Sequence, residues 1–366
     1  MSECSTFVGL DVHAKTIAAA MLNNDTGELK ERSFGTTQRD QRKLIRWLGR
    51  ESEGLPVVCY EAGSWGYELQ RRLLEAGIDC RVIAPSLVYQ KAGRRRKNDR
   101  LDAIELAKQL AAGQLTEVHP PTAAQEASRA LVRCRDDARK ALHQVRQQLL
   151  KFLVQQGVCH EGNPWTKSHR KWLRGLRLPE PCAQLVLADY VLTVEQAEQR
   201  LARLDEQIQA LSETAEYREA VGALRCFRGV DTLTAMIVLT ELYEFGRFAS
   251  PRALMGYLGL VPGEWSTGDQ ERGTGLTKTG NGLVRRVLVE AAWQYQRRPW
   301  LSAELAKRQS GQPAEAVATA GKAMERLHRR YWRLVNRGKG TKTAACAVAR
   351  ELAGFLWAAL QPTLAA

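Results

Sequence analysis

Apolar, β-branched runs open the chain at Thr6–Val12 and Thr16–Asn23. Asn24-Asp25-Thr26-Gly27 is a turn signal between the second run and Leu29–Phe34. Residues 37–50 place Leu44, Ile45 and Leu48 at helical spacing, and residues 65–76 do the same with Leu69, Leu73 and Leu74. The short apolar runs 56–62 and 79–84 read as buried strands, the second stopped by Pro85. A helical pattern over 101–112 closes this part. Three strands, helix, strand, helix, strand, helix predict a mixed sheet covered by helices.

The pattern then changes. Leu131, Ala138, Val145 and Phe152 recur every seven residues, as do Leu187, Val194, Leu201 and Ile208, joined by Tyr190, Ala197, Leu204 and Leu211. These are heptad seams of two long helices, in an antiparallel pair or a dimer contact. Between them, residues 157–181 are rich in Trp, Lys and Arg; Trp165 and Trp172 are read as packing residues in preference to base-stacking ones. Residues 224–235 form a glycine turn between short helices, a pattern that grips nucleic-acid backbone without reading bases. Residues 299–366 read as helical and basic. The expected organisation is 1–118, a connector at 119–220, and a smaller, mainly helical part at 221–366.

The chain has 366 residues, with 54 Lys+Arg against 40 Asp+Glu and a net charge of +14. Residues 271–342 alone hold 16 Lys/Arg and five Asp/Glu. Arg94, Arg95, Arg96 and Lys97 form another cluster, and Lys167, Arg170, Lys171, Arg174 and Arg177 a third. Such stripes commonly neutralise phosphate. No apolar run is read as long enough to cross a bilayer, which takes roughly 18–20 residues. The first residues do not resemble a leader peptide. Eight cysteines, no two closer than 21 residues, form no local zinc pair and read as reduced cytosolic thiols. The expected location is the cytoplasm.

Four carboxylates carry candidate chemistry. Asp11 ends the first strand and Glu61 ends the strand at 57–60, while Asp99 and Asp102 share one face at the start of a helix. If the first and fourth strands are neighbours, all four can converge. Clustered carboxylates need counter-charge, which hard divalent cations supply; Mg²⁺ is the natural choice, and two ions suit phosphodiester chemistry. The bland alternatives are a helix cap for Asp99 and a helix-dipole partner for Asp102.

Residues 256–286 are rich in glycine and hydroxyls. Ser266 is a candidate nucleophile, and Arg272, Lys278, Arg285 and Arg286 are candidate phosphate contacts. The helix after Asn281 can aim its N-terminus at an anion. No histidine lies near Ser266 in sequence, and a loop that only binds nucleic acid remains an alternative.

Residues 9–15 (Gly-Leu-Asp-Val-His-Ala-Lys), 60–62 (Tyr-Glu-Ala) and 97–103 (Lys-Asn-Asp-Arg-Leu-Asp-Ala) resemble the amino-terminal part of DEDD-type insertion-sequence transposases. The Gly229-Val230-Asp231, 257–262 (Tyr-Leu-Gly-Leu-Val-Pro), Ser266-Thr267-Gly268 and 276–281 (Leu-Thr-Lys-Thr-Gly-Asn) segments are similar to their carboxy-terminal part. Together they resemble the bridge-RNA-guided serine recombinases over nearly the whole chain. The resemblance implies an α/β RuvC-like, RNase H-type mixed sheet, a coiled-coil connector and a helical transposase domain. It implies that Asp11, Glu61, Asp99 and Asp102 bind Mg²⁺ and that Ser266 forms a transient phosphoserine link. It also implies an oligomer, dimer to tetramer, and a structured element-encoded RNA that pairs with donor and target DNA. Asn98 and Thr267 stand where that family often has Thr and Ser. The main rival is a junction-resolvase-like metal nuclease, which has no use for Ser266. A non-catalytic nucleic-acid binder has no use for the acids. An actin-like ATPase would need a second phosphate loop that the sequence lacks.

Overall fold

The computed structural model describes residues 5–63, 65–89, 98–267 and 270–364, with backbone only for 264–267, 270–274 and 362–364. The chain divides into two compact units, residues 1–122 and 123–366.

The first unit is a five-stranded sheet with helices on both faces. Strands β1 (Thr6–Val12), β2 (Thr16–Asn23) and β3 (Leu29–Gly35) form an antiparallel meander. Asn23 Oδ1 accepts from the amides of Asp25 and Thr26 and so shapes the second turn. Helix α1 (Gln38–Glu51) leads to β4 (Val57–Glu61), and α2 (Glu68–Glu75) leads to β5 (Asp79–Ile83). Helix α3 (Asp99–Ala111) completes the unit. The sheet order is β3-β2-β1-β4-β5, with β4 parallel to β1 and β5 parallel to β4.

Strand alternation sorts the residues onto two faces. Val8, Leu10, Val58, Tyr60, Cys80 and Val82 join Leu44, Trp47 and Leu48 of α1 and Leu69 and Leu73 of α2 in one core. The opposite face carries Phe7, Cys59 and Ile83 against Leu106 and Leu110 of α3. Gly9 lies on that second face, where a Cβ would stand 2.1 Å from the Ala103 carbonyl oxygen. Its missing side chain is what lets the α3 backbone lie against the sheet.

The second unit begins with α4 (Ala123–Gln155), α5 (Lys167–Gly175) and α6 (Pro181–Ser212). Arg135 pairs with Asp205 and Arg146 with Glu198, so α4 and α6 run antiparallel. Leu142 and Leu149 of α4 are buried in one cluster with the seam residues Leu187 and Val194 of α6; the expected seam residues Val145 and Phe152 are only partly buried there, and Trp165 and Trp172 pack onto the same cluster. Helices α7 (Arg218–Arg225), α8 (Thr232–Leu242), α9 (Pro251–Tyr257), α10 (Gly282–Ala292), α11 (Ala303–Gln309), α12 (Ala314–Asn336) and α13 (Thr341–Leu364) follow. They share a core in which α8 is buried on all sides from Ala235 to Leu242, and α4 contributes Val132 to it. The long connector helices therefore belong to the same compact unit as the carboxy-terminal helices.

Two features depart from the sequence reading. Residues 262–276 form a two-stranded antiparallel hairpin, β6 (Pro262–Thr267) and β7 (Gln270–Leu276). Residues 341–361 of α13 are long and apolar enough, by length and composition, to cross a bilayer. Ala345, Val348, Leu352 and Leu356 are instead buried in the shared core. The run is apolar because it is packed on several sides.

Candidate functional site

Asp11 and Glu61 lie one residue beyond the last β1–β4 pair, Leu10↔Tyr60, at the carboxyl edge of neighbouring parallel strands. Adjacent strands stand about 4.8 Å apart. Both acids fall on the face covered by α3. The stripe by which α3 meets the sheet (Ala103, Leu106, Ala107, Leu110) continues at its amino end into Asp99 and Asp102. Close packing at Gly9 thus brings the first turn of α3 over the end of β1. Arg100 reinforces this placement through a two-pronged ion pair with Glu31 of β3. Asn98 is the helix cap, its Oδ1 accepting from the Arg100 amide, so capping does not occupy Asp99.

A histidine completes the cluster. His13 Nε2 lies 3.3 Å from Asp11 Oδ2 and 3.4 Å from Asp99 Oδ1. Ligand atoms of Asp11, His13 and Asp99 all lie within 4.8 Å of one another. The sequence reading quoted His13 but gave it no role. A spacing of two in extended chain puts Asp11 and His13 on one side, and that was the available signal. Trp65 Nε1 donates to the His13 carbonyl at 2.7 Å and fixes this turn.

The electrostatics fit a cation. Burial pushes the Asp11 carboxyl above its usual value; His13 opposes the shift, and Asp99 and Asp102 add to it. Asp11 Oδ2 is buried without a hydrogen-bond partner, the His13 contact being at ion-pair distance but lacking hydrogen-bond geometry. An orphaned carboxylate oxygen beside two further carboxylates suits a hard divalent cation. Arg94, Arg95, Arg96 and Lys97, expected beside this site, lie outside the described residues.

In the second unit, Ser266 sits on β6, its backbone paired with Glu271, and Arg272 pairs with Trp265. Lys278 is exposed, with positive φ. Arg285 and Arg286 are engaged inside the unit. Arg285 donates to the carbonyls of Leu258 and Thr279, and Arg286 bonds Asp136 and Glu290. Asn281 Oδ1 accepts from the amides of Leu283 and Val284, so the start of α10 carries its own cap. Asn281 Nδ2 donates to Glu241, which is buried and held by both prongs of Arg133. This network anchors the 277–281 segment to α8 and α4; sequence alone did not reveal it.

Two family models match the chain. The DEDD model of IS110 type, described as "Transposase", matches residues 8–157. A second, described as "Transposase IS116/IS110/IS902 family", matches residues 222–307. The chain is 40% identical over 357 residues to "Putative transposase y4qE" of Sinorhizobium fredii, covering 96% of this chain and 87% of that one. It is 35% identical over 336 residues to the "Transposase for insertion sequence element IS1533" of Leptospira borgpetersenii, covering 89% and 95%.

Proposed function

Because the chain belongs to the IS110/IS116 family of DEDD transposases, enzymes that cut and transfer DNA strands, we propose that it transfers strands through a covalent serine link and not by hydrolysis. The observation that carries the metal half of this reading is the convergence of Asp99 and His13 on the partnerless buried oxygen of Asp11. The family implies a divalent metal. Asp11, Glu61, Asp99 and Asp102 would hold it, as two Mg²⁺ ions. Bound there, the metal supplies charge to offset that developing on a phosphate.

Ser266 is the nucleophile in this proposal. Its Oγ forms a bond to a DNA phosphorus as the bond to the leaving strand oxygen breaks, and the serine proton passes to that oxygen. A second strand's hydroxyl reverses the exchange, so phosphodiester energy is conserved without nucleotide hydrolysis. Arg272 and Lys278 follow Ser266 within twelve residues and would neutralise the phosphate. The protein acts as a homo-oligomer, dimer to tetramer. A structured element-encoded RNA chooses donor and target by base pairing, which leaves the protein to bind backbone and suits its diffuse positive charge.

The test uses purified protein, labelled junction DNA, Mg²⁺ and the element's flanking RNA, resolved on a denaturing gel. An RNA-dependent DNA–protein adduct is expected from the wild type and not from Ser266→Ala or Asp11→Asn. Free cleaved ends at undiminished yield in Ser266→Ala would overturn the serine step and leave a hydrolytic nuclease. Independently, Mg²⁺ should raise the melting temperature of wild type and Ser266→Ala, but not of Asp11→Asn.

A further inference from the structure

The turn between α7 and α8, Arg228-Gly229-Val230-Asp231, has the pattern of a backbone-gripping motif, yet the fold spends it internally. Asp231 Oδ1 accepts from the Thr234 amide at 2.8 Å and caps α8. Gly229 has φ +81°, and a Cβ there would lie 2.6 Å from the Ala291 carbonyl, so the turn is pressed onto α10. Arg228, half-buried, is also engaged within the unit. Its guanidinium donates to the carbonyls of Arg297 at 3.2 Å, Arg298 at 2.9 Å and Trp300 at 3.0 Å.

One half-buried guanidinium thus pins three of the four carbonyls of the 297–300 segment. Arg297 and Arg298 are exposed, and Trp300 is 67% exposed. Next to it, Trp332 of α12 donates Nε1 to the Gln296 carbonyl at 2.8 Å while remaining 42% exposed. Arg329 lies one turn before it on the same helix face, Arg333 is the next residue along the helix, and both are exposed. Arg297, Arg298, Arg329 and Arg333 have no acidic partner among the described residues. Two exposed indoles set among unpaired guanidiniums, on a backbone held from behind, leave apolar surface in water.

From this we infer a second nucleic-acid surface, specific for unpaired strands. Trp300 stacks on an exposed base, and Arg297, Arg298, Arg329 and Arg333 take the flanking phosphates. The inference rests on the reading that this chain handles nucleic acid, and it names the face that receives a single strand. An RNA loop and an opened DNA strand present the same chemistry: a free base face between phosphates.

The experiment measures equilibrium binding of the full chain, in EDTA, to a labelled 15-nucleotide RNA, the DNA of the same sequence, and the matching duplex. Trp300→Ala should weaken single-strand binding by about 5- to 150-fold, the loss that follows removal of one base–aromatic stack. Duplex binding should stay within about 2-fold. Trp300→Phe should restore most of the affinity, whereas Trp300→Leu, apolar but without a π-face, should not. Arg297→Ala with Arg298→Ala should flatten the single-strand salt dependence by about 1.4 in log–log slope, at about 0.7 per phosphate. Loss on RNA alone supports a site for the RNA; loss on both single strands supports a site for any unpaired strand. Unchanged single-strand binding in Trp300→Ala, equal loss on duplex, or full rescue by Leu would each overturn the inference. No catalysis enters the measurement. Trp300→Ala should also keep the Mg²⁺-dependent rise in melting temperature, so failure here is distinguishable from failure of the metal chemistry.

Discussion

Replacing Gly9 by alanine asks whether a single missing methyl holds the acid cluster together. The added Cβ would stand 2.1 Å from Ala103 O, 2.6 Å from Ala107 N and 2.8 Å from Leu106 Cβ. These are backbone or near-backbone atoms of α3, so no side chain can rotate out of the way. Ordinary contact begins near 3.4 Å, so α3 must withdraw by about 1.3 Å at that point. Overpacking of this kind costs about 1–3 kcal/mol. At roughly 4 °C per kcal/mol for a unit of this size, the melting temperature should fall by about 4–12 °C.

The consequence for the site is larger than the stability loss. Asp99 and Asp102 ride on the first turn of α3, while Asp11 and His13 stay with β1. A displacement of about 1 Å in a positioned group can cost about 100-fold in rate. Gly9→Ala should therefore lose DNA-strand transfer and the Mg²⁺-induced rise in melting temperature while remaining folded at 25 °C. Gly49→Ala is the control: it is an exposed helical glycine with nothing within 4 Å of its added Cβ, and it should gain about 0.5–1 kcal/mol. Thermal unfolding by circular dichroism with and without Mg²⁺ reads both quantities. A Gly9→Ala protein that melts within 2 °C of wild type and keeps its metal response would refute the reasoning.

Three further outcomes follow from the same geometry. Asn98→Ala should cost about 0.5–2 kcal/mol in urea unfolding, and Asn98→Thr should recover most of it, because either side-chain oxygen can accept from the start of α3. Glu241→Ala should cost about 2–4 kcal/mol, since it strands Arg133 and Asn281 around a buried position, and Glu241→Gln should cost less. At Glu198, the hydrogen bond from Arg170, aided by Arg146, outweighs desolvation and holds the carboxyl below its ordinary value of 4.5. The stability it contributes is complete above pH 4.5 and is lost as pH falls through the lowered value. Acid titration of Glu198→Gln should therefore show a flatter fall in stability below pH 4.5 than wild type.

Much of the first unit was legible because each element is short, bounded by turn residues, and apolar on a recognisable period. The candidate acids stand out because they mark the ends of strand periods (Asp11, Glu61) or the start of a helical one (Asp99, Asp102). What the sequence does not carry is adjacency. That β1 pairs with β4, that α3 crosses over Gly9, and that His13 bridges Asp11 and Asp99 are all tertiary facts. The hairpin at 262–276 escaped notice because glycine breaks its alternation. Its one strong signal is the Gly268-Asp269 pair between the two strand segments, a dipeptide favoured in two-residue hairpin connections.

Net charge alone does not say which cations are free to meet a polyanion. A net +14 and a basic stripe suggested that Arg285 and Arg286 face phosphate, and the turn at Gly229 suggested a backbone grip. The structure turns Arg285 onto two carbonyls, Arg286 onto two carboxylates and Arg228 onto three carbonyls. A guanidinium bound in this way still counts toward the sum but releases little counterion when a polyanion arrives. The cations that matter for binding are those left without partners, and an ion-paired arginine cannot be told from a free one by composition. In the basic stripe, Lys278, Arg297, Arg298, Lys307, Lys322, Arg329, Arg333, Arg337, Lys339 and Lys342 are exposed with no acidic partner among the described residues. The salt dependence of nucleic-acid binding should therefore follow this smaller set. Neutralising Arg285 or Arg286 should change stability before it changes the salt slope.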